Sequence, residues 1–361
     1  MFSFRTTPLD QQQDLVLSRG RLAVLCNQSA WNPEKGEYLF ETLYRTGKLE
    51  KVFYLSEGIF GEKIPSYAPL GMEGCRFLPL DEHELEGIDA LIIEYQDTGT
   101  RYDSFTLRLF DLFQYIHDNK LDISLYILDR ENPCGRQVEG TISGVAHRHG
   151  LTLGELANLF YSEIGARFPL HIISYMVRSA TQYMMPWSIP PYEDYPGLFT
   201  SNFICGMKLF TGTNISYGEG TTRPYECFGA PFLDEIVASN ELGALGDPGV
   251  FMRRTTFVPK YGLYAGQTCW GFHLLPRPGV PYHSVAHALR ILRFIKERAP
   301  LADTSWFGAL AVDEKMSEFV EGNLSWEDLK EHIKVEEQKW MRKAKRYMLY
   351  DEQLSRVKTL V

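Results

Sequence analysis

Short apolar runs alternate with segments of helical spacing through the first half of this chain. Buried strands are predicted for the apolar runs at residues 21–27, 51–57, 89–97, 123–130 and 170–176. Helical spacing predicts helices at 34–49 and 103–119, and the capping box of Thr152 and Glu155 begins another. Because strands that alternate with helices form parallel β-α-β units, we predict an open sheet with helices on both faces.

The pattern changes between residues 185 and 222, where two loops rich in proline, aromatic residues, glycine and threonine are predicted. Beyond them, helical spacing marks 231–240, and strands are expected at 250–259 and 268–276. Ser284 is predicted to cap one helix, and Ser325 with Asp328 a final helix. We place the domain boundary at the proline-rich loop, which gives domains of residues 1–195 and 196–361.

Charge and hydropathy limit the partners. The 361 residues carry a formal net charge of −9, which argues against nucleic acid because binding to phosphates needs clustered cations. A run of eighteen apolar residues is missing from the sequence, so no membrane span is expected. The amino-terminal residues lack the apolar region of a secretory signal. We expect a cytoplasmic protein if the chain is native, and a periplasmic one if a signal was removed; the oligomeric state is left open.

Several familiar motifs are missing from the sequence. No G-x-G-x-x-G follows the first strand, and neither a G-x-x-x-x-G-K-[ST] loop nor a G-x-S-x-G elbow occurs. His147 and His149 are spaced as two metal ligands on a strand, but no third ligand is identifiable, and hydrogen bonding in a loop is favoured. We therefore predict neither a cofactor nor a metal.

Four of the predicted strands end in polar residues: Asn27, Ser56 with Glu57, Gln96 with Asp97, and Asp129 with Arg130. The carboxyl ends of parallel strands lie at one edge of a sheet, where open α/β sheets bind ligands. We expect side chains from these positions, together with Arg101, to share one cleft. The alternative is that they are ordinary polar transitions from strand to loop.

Carboxylates are abundant at these ends and in the later loops: Glu57, Asp97, Asp129, Glu139, Glu219 and Glu226. A pair of carboxyl groups is what glycoside hydrolysis requires, one to protonate the leaving oxygen and one to act as base or nucleophile. Arg101 and Arg130 suit a carboxylate on a ligand, which a guanidinium binds with two hydrogen bonds. Ion pairs that order the loops are an equally open interpretation.

Four motifs in order are distinctive: QDTGTRY (96–102), LDRENPCGRQVEG (128–140), HRHGLTLGELANLF (147–160) and GTNISYGEGTTRPYECFGAPF (212–232). The series resembles the bacterial exo-β-N-acetylmuramidases, glycoside hydrolases of cell wall recycling. The resemblance implies a Rossmann-like parallel sheet domain, a second, smaller α/β domain and a cleft between them. It also implies a hydrolase that releases N-acetylmuramic acid from the non-reducing end of peptidoglycan fragments, with a peptidoglycan-derived sugar or muropeptide as partner.

The same resemblance suggests roles for individual residues. Glu57 matches the glutamate of the family's Pro-Glu-His-Gly motif and would be the general acid, although Ser56 replaces the proline and the histidine is missing. Asp97 or Glu219 would supply the second carboxylate, and Glu219 stands where the family has arginine. The substrate-binding residues would be Asn27, Gln96, Arg101, Asp129, Arg130, Glu139, His149 and Asn214.

These departures leave two alternatives. One is a muropeptide or sugar-acid binding protein that has lost turnover. The other is a glycosidase for a different sugar, because a glutamate in place of arginine disfavours an anionic ring.

Overall fold

The computed structural model describes residues 16–17, 19–33, 35–55, 58–60, 71–102, 104–174, 189–191, 194–277, 279–308 and 313–350. Its strands are β1 Leu22–Cys26, β2 Trp31–Asn32, β3 Glu37–Tyr38, β4 Leu49–Tyr54, β5 Arg76–Pro79, β6 Ala90–Glu94, β7 Ser124–Asp129, β8 Glu139–Ser143, β9 Val145–Arg148, β10 Leu170–Ser174, β11 Cys227–Ala230, β12 Val250–Phe257 and β13 Cys269–Pro276.

The α-helices are α1 Leu39–Tyr44, α2 Ser104–Asp118, α3 Leu153–Ile164, α4 Ile204–Met207, α5 Asp234–Ser239, α6 Glu241–Ala244, α7 Ser284–Arg298, α8 Glu314–Val320 and α9 Trp326–Ala344. Single 3₁₀ turns occupy Gln28–Ala30, Glu82–Leu85, Leu198–Asn202 and Lys208–Gly212.

The main sheet has six parallel strands in the order β10-β7-β6-β1-β4-β5. From β1 the chain proceeds outward to β4 and β5, and then returns to β6 on the other side of β1. This is the doubly wound order of a Rossmann-like sheet, with its switch point between β1 and β6. The predicted α/β class with a Rossmann-like sheet is confirmed.

The four central strands, β7, β6, β1 and β4, are buried on both faces, as is typical of a parallel sheet. Leu25 of β1 and Ile93 of β6 pack in a core with Phe113 of α2. Val24 of β1 faces the other way, in a core that includes Phe40 of α1. The near-continuous apolar runs in the sequence therefore reflect burial on both sides.

A smaller antiparallel sheet, β11-β13-β12, packs with α7 and α8 around a separate core. The hairpin β8-β9 leaves the main sheet between β7 and α3. Helix α9 then returns to the first half, where Trp340 is fully buried in the core of α2 and α3. The domain division at residue 195 stays a prediction, and the last helix belongs to the core of the parallel sheet.

Most predicted elements are present, with local differences. The capping box of Thr152 and Glu155 at α3 and the Ser325 cap of α9 are confirmed. The Ser284 cap is wrong: His283 accepts the Ala286 N–H, and Ser284 is the first helical residue. The helix expected over 34–49 is shorter, covering Leu39–Tyr44. Within the described residues, no helix is both long and apolar enough to cross a membrane.

Candidate functional site at the switch point

The residue that follows β1 is hydrogen-bonded to the loop that follows β6. Asn27 Nδ2 donates to the Gln96 carbonyl at 3.0 Å, and the Gln96 N–H lies 3.5 Å from Asn27 Oδ1. The contact bridges the point where the strand order reverses, which is where ligands of doubly wound sheets bind. Residues 27–30, 95–102 and 130–134 are called the switch-point loops below.

Gln96, Asp97 and His149 are packed together in these loops. Gln96 and Asp97 are each 2% exposed, and His149 is fully buried. The Leu151 N–H donates to His149 Nδ1 at 3.2 Å, so the proton of the neutral ring is on Nε2. This Nε2 lies 3.4 Å from Asp97 Oδ2 without the alignment of a hydrogen bond. The structure thus places Asp97 and His149, both predicted site residues, next to each other.

Two buried polar atoms in this group have no hydrogen-bond partner in the part of the chain that the structure describes, Gln96 Oε1 and His149 Nε2. The amide of Gln96 is oriented by its Nε2 group, which donates to the carbonyls of Asp97 at 3.1 Å and Glu131 at 3.2 Å. A buried acceptor and a buried donor without partners cost free energy. Together they fit a polar ligand with hydroxyl or amide groups.

Arg130 lies in the same loops but is held by internal partners. Its Nη1 donates to the Ser29 carbonyl at 2.8 Å, and its Nη2 to Glu94 Oε1 at 2.6 Å. Burial raises the pKa of Glu94, and the guanidinium opposes that shift. Ser29 Oγ in turn donates to the Ile189 carbonyl at 2.8 Å. Arg130 thus connects the loops after β1 and β7 to the segment at 189–191.

Arg101 is also buried, and its Nη1 donates to the Thr141 carbonyl at 3.0 Å. Next to it, Tyr102 Oη lies 2.6 Å from His147 Nδ1. Burial lowers the pKa of Arg101 and lowers that of His147 well below the usual range for histidine. This group anchors the end of the loop after β6 to the hairpin β8-β9.

Asp129 faces the amino terminus of α3. It accepts hydrogen bonds from Thr152 Oγ1 at 2.7 Å, the Gly154 N–H at 2.7 Å and Tyr350 Oη at 2.8 Å. Burial raises its pKa to about 7 despite these donors. A cavity of about 470 Å³ lies beside Tyr350, between α3 and β10, and none of the predicted site residues lines it.

Glu139, predicted to bind substrate, is fully buried and joins the two halves of the chain. It pairs with Arg148 Nη1 at 2.7 Å and accepts from Ser284 Oγ at 2.6 Å and the Val285 N–H at 3.0 Å. The carboxylate therefore occupies the amino terminus of α7, where a negative charge is favourable.

The predicted residues of the later loop lie in different surroundings. The side chain of Asn214 donates to the Leu301 carbonyl at 2.7 Å and accepts from the Asp303 N–H at 2.8 Å, so it closes a loop. Glu219 is half-buried against Gly262. Glu57 lies outside the described residues.

One carboxyl group of the switch-point loops was missed by sequence reasoning. Glu131 follows Arg130, is half-buried, and has a pKa raised by burial. Glu131 belongs to the same polar run at the end of β7 as Asp129 and Arg130. Within the described part of the chain, no group of three His, Cys, Asp or Glu side chains is placed to hold a metal ion.

Comparison with known families shows the family of this chain. Residues 79–191 match the family model described as exo-β-N-acetylmuramidase NamZ, N-terminal, and residues 204–350 match the corresponding C-terminal model. The chain therefore belongs to the exo-β-N-acetylmuramidase NamZ family, a family of peptidoglycan glycosidases, as the four sequence motifs predicted.

A relative with a curated name is the peptidoglycan β-N-acetylmuramidase NamZ of Bacillus subtilis (strain 168). It is 27% identical over 285 residues, which are 74% of this chain and 68% of the relative. Two DUF1343 family proteins from Bacteroides fragilis NCTC 9343 have similar crystal structures. One has a TM-score of 0.81 at 20% identity and the other 0.74 at 22%, each over 96% of this chain and 98% of that protein. At these identities, the two structures establish the shared fold alone.

Proposed function

We propose that this protein is a glycosidase that releases N-acetylmuramic acid from the non-reducing end of peptidoglycan fragments. Family membership supports the reaction class, and the name of the Bacillus relative supports the sugar. The observation that carries the proposal is the group of Gln96, Asp97 and His149 at the switch point, with two buried polar atoms that lack partners. A sugar ring with hydroxyl and acetamido groups supplies complementary donors and acceptors.

Roles in catalysis follow from the proposal. Glu57, which matches the family glutamate, is assigned as the general acid that protonates the leaving oxygen. Asp97 is nearly fully buried, and its Oδ2 accepts from the Gly99 N–H at 3.3 Å. Such a held carboxylate suits binding of a sugar hydroxyl. Asn27 and Arg130 hold the loops that carry this group, through Gln96 and Glu94.

The test is incubation of the purified chain with the disaccharide N-acetylmuramyl-β-1,4-N-acetylglucosamine, followed by mass spectrometry of the products. We expect release of N-acetylmuramic acid, and we expect Glu57→Gln to lower kcat by about 10²–10⁴-fold, the usual contribution of a general acid. Glu50→Gln is the matched control because Glu50 lies at the amino-terminal end of β4, at the edge of the sheet opposite the switch-point loops. Intact disaccharide after incubation with the wild type would overturn the proposal.

A second candidate is hydrolysis of an uncharged β-N-acetylhexosaminide. The contacts of two arginines favour it. Arg130 binds Glu94, and Arg101 binds the Thr141 carbonyl, so both guanidinium groups are held within the protein rather than by a carboxylate on a ligand. The nitrophenyl β-glycosides of N-acetylmuramic acid and N-acetylglucosamine separate the two candidates. A larger kcat/KM for the N-acetylglucosamine compound would establish the second one.

A further inference from the structure

Strand β12 forms one edge of the smaller sheet, whose strand order is β11-β13-β12. It covers Val250–Phe257 and pairs along its whole length with β13, on one side only. Apart from that ladder, the backbone of residues 251–257 makes no hydrogen bond to another backbone group in the described part of the chain. Every second residue of such an edge directs its N–H and C=O groups away from the sheet, where another strand can bind them.

The hairpin of β12 and β13 is positively charged, although the protein as a whole is acidic. Residues 250–277 contain neither aspartate nor glutamate, whereas the whole chain has a formal net charge of −9. The cations of the hairpin are exposed and make no ion pair with any residue that the structure describes: Arg253, Arg254, Lys260 and Arg277. This surface therefore favours an anionic partner.

Two of these cations occupy the centre of β12 and face opposite sides of the sheet. Arg253 lies opposite His273 in the ladder, and Arg254 lies opposite Phe272. Phe272 is fully buried in the core of the second half, so Arg254 is on the inner side, where its Nη1 donates to the Ala238 carbonyl at 3.5 Å. Arg253 is on the outer side.

An exposed apolar side chain accompanies Arg253 on the outer side. Phe251 is 49% exposed and lies opposite Leu275, which is 37% exposed. The guanidinium of Arg277 lies 4.2 Å from the centre of the Phe251 ring. The outer side of this edge therefore presents one aromatic ring between two guanidinium groups.

The carboxylate beside β11 does not neutralise this surface. Glu226 precedes β11, on the far side of β13 from the edge. It pairs with Arg223 Nη1 at 2.9 Å and accepts from Thr200 Oγ1 at 2.8 Å. The positive charge along β12 is therefore available to a partner.

We propose that the outer edge of β12 binds an extended acidic segment of a partner protein, which joins the sheet as a fourth strand. Backbone hydrogen bonds to residues 251–257 hold the segment, and its side chains lie about 4.5–5.5 Å from those of β12. Because Arg253 and Arg254 face opposite sides, the segment carries two consecutive acidic residues at its centre. An apolar residue two positions away contacts Phe251.

Other occupants fit this edge less well. Antiparallel pairing of two copies of β12 about their centres brings four guanidinium groups together, and like charges on neighbouring strands are destabilising. An anionic lipid surface matches the charge but offers no row of amides to pair with the backbone of the edge. An acidic strand satisfies both the charges and the backbone groups.

The experiment measures fluorescence anisotropy of a dye-labelled synthetic peptide as the full chain is added. The peptide has two central glutamates flanked by alternating valine and threonine. We expect saturable binding that weakens as salt screens the charges. Replacing both central arginines, Arg253→Glu with Arg254→Glu, should weaken binding by about tenfold or more, and a peptide with two central lysines should restore it. N-methylation of alternate peptide amides should also weaken binding by about tenfold or more, because it removes backbone donors.

The matched control is Arg167→Glu, which changes an exposed arginine between α3 and β10 and should bind the peptide like wild type. Hydrogen exchange should slow at residues 251–257 when the peptide is bound. No saturable binding by wild type up to about 1 mM protein would overturn the proposal, as would equal binding of the N-methylated peptide.

Two further outcomes would assign the edge to another occupant and so overturn the proposal. One is a dimer of the wild type in sedimentation that the double variant does not form. The other is binding to phosphatidylglycerol vesicles that is tighter than binding to the peptide and is lost in the double variant. Because the binding assay needs no hydrolysis, its failure would leave the proposed glycosidase activity untouched.

Discussion

Asn27 and Gln96 are joined across the switch point of the parallel sheet by a hydrogen bond of 3.0 Å from Asn27 Nδ2 to the Gln96 carbonyl. The two residues are 69 positions apart in the sequence. They follow β1 and β6, the neighbouring strands from which the strand order proceeds toward opposite edges of the sheet. The bond therefore fixes the spacing of the two loops between which a ligand would lie.

Replacing Asn27 with alanine should lower the free energy of unfolding by about 1–3 kcal/mol, because the buried Gln96 carbonyl loses its donor. Urea unfolding measures the change. Asn119→Ala is the matched control, since Asn119 is exposed and its side chain donates to the Tyr115 carbonyl at the end of the helix that it follows; it should cost about 0.5 kcal/mol or less. Equal stabilities of the two variants would contradict this account of the loop contact.

Gly99 should not tolerate alanine. Its φ is +80°, and an added Cβ would lie 2.1 Å from Asn132 Oδ1. Gly36 has a φ of +68°, and a Cβ added there would meet no atom within 4 Å. Gly36→Ala therefore measures only the cost of a left-handed backbone conformation in alanine, about 1–2 kcal/mol. We expect Gly99→Ala to cost about 1–3 kcal/mol more than this control in thermal or urea unfolding, because the clash adds to the backbone strain. Similar losses would show that Asn132 moves aside without cost.

Glu139→Gln tests whether Glu139 is structural. The change leaves Arg148, whose side chain is 8% exposed, without its carboxylate. Breaking a buried ion pair in this way costs about 3–5 kcal/mol, and we expect a loss of that order in urea unfolding. Glu163→Gln breaks a more exposed pair with Lys343 and should cost about 1 kcal/mol or less. A stable Glu139→Gln protein with a raised KM would instead support the substrate-binding role predicted from the sequence.

Asp129 makes stability depend on pH. Its pKa is raised to about 7 by burial, while in the unfolded chain it is about 3.9. The folded state therefore holds the proton more tightly than the unfolded chain does. The contribution of Asp129 to the free energy of unfolding is full below pH ~4 and is lost as the pH rises through about 7. Asparagine does not titrate, so Asp129→Asn should gain stability over wild type across this window, by up to about 4 kcal/mol.

Urea unfolding between pH 4.5 and 8 measures that gain, provided that both proteins unfold in two states. Asp111→Asn, on the exposed face of α2, should follow the wild-type pH dependence. Parallel curves for wild type and Asp129→Asn would show that Asp129 is ionised throughout.

Trp340→Ala should cost about 3–5 kcal/mol, because the ring is fully buried and its Nε1 donates to the His149 carbonyl at 2.8 Å. Trp306 is 75% exposed, and Trp306→Ala should change stability by about 0.5 kcal/mol or less. Chemical denaturation followed by circular dichroism compares them. A small loss at Trp340 would mean that α9 contributes little to the core of the parallel sheet.

The parallel sheet was predictable because β1, β6 and β7 are buried on both faces and read as apolar runs. Strand β5, Arg76–Pro79, was missed because it is short and half-exposed. The contact between Asp97 and His149 was not predictable, because the rule for the carboxyl ends of strands places loops without specifying side-chain contacts.

The roles of Glu139 and Asn214 were not predictable from local sequence. Glu139 is bound by Ser284, which is 145 residues away, and Asn214 by the Asp303 N–H, 89 residues away. A polar residue in a loop looks the same in the sequence whether its partner is a ligand or a distant part of the chain. Glu131 was overlooked for the converse reason: among the residues that the structure describes, its carboxyl group has no hydrogen-bond or ion-pair partner, and the sequence alone does not show this.

The position of Trp340 has a consequence for biosynthesis. Ribosomes release the amino-terminal half first, yet the core around α2 and α3 is completed by a side chain from the last helix. The apolar surface of the nascent parallel sheet therefore stays partly uncovered until residue 340 has been synthesised. Splitting the gene near codon 195 should yield an aggregation-prone first fragment, and co-expression of the second fragment should rescue its solubility.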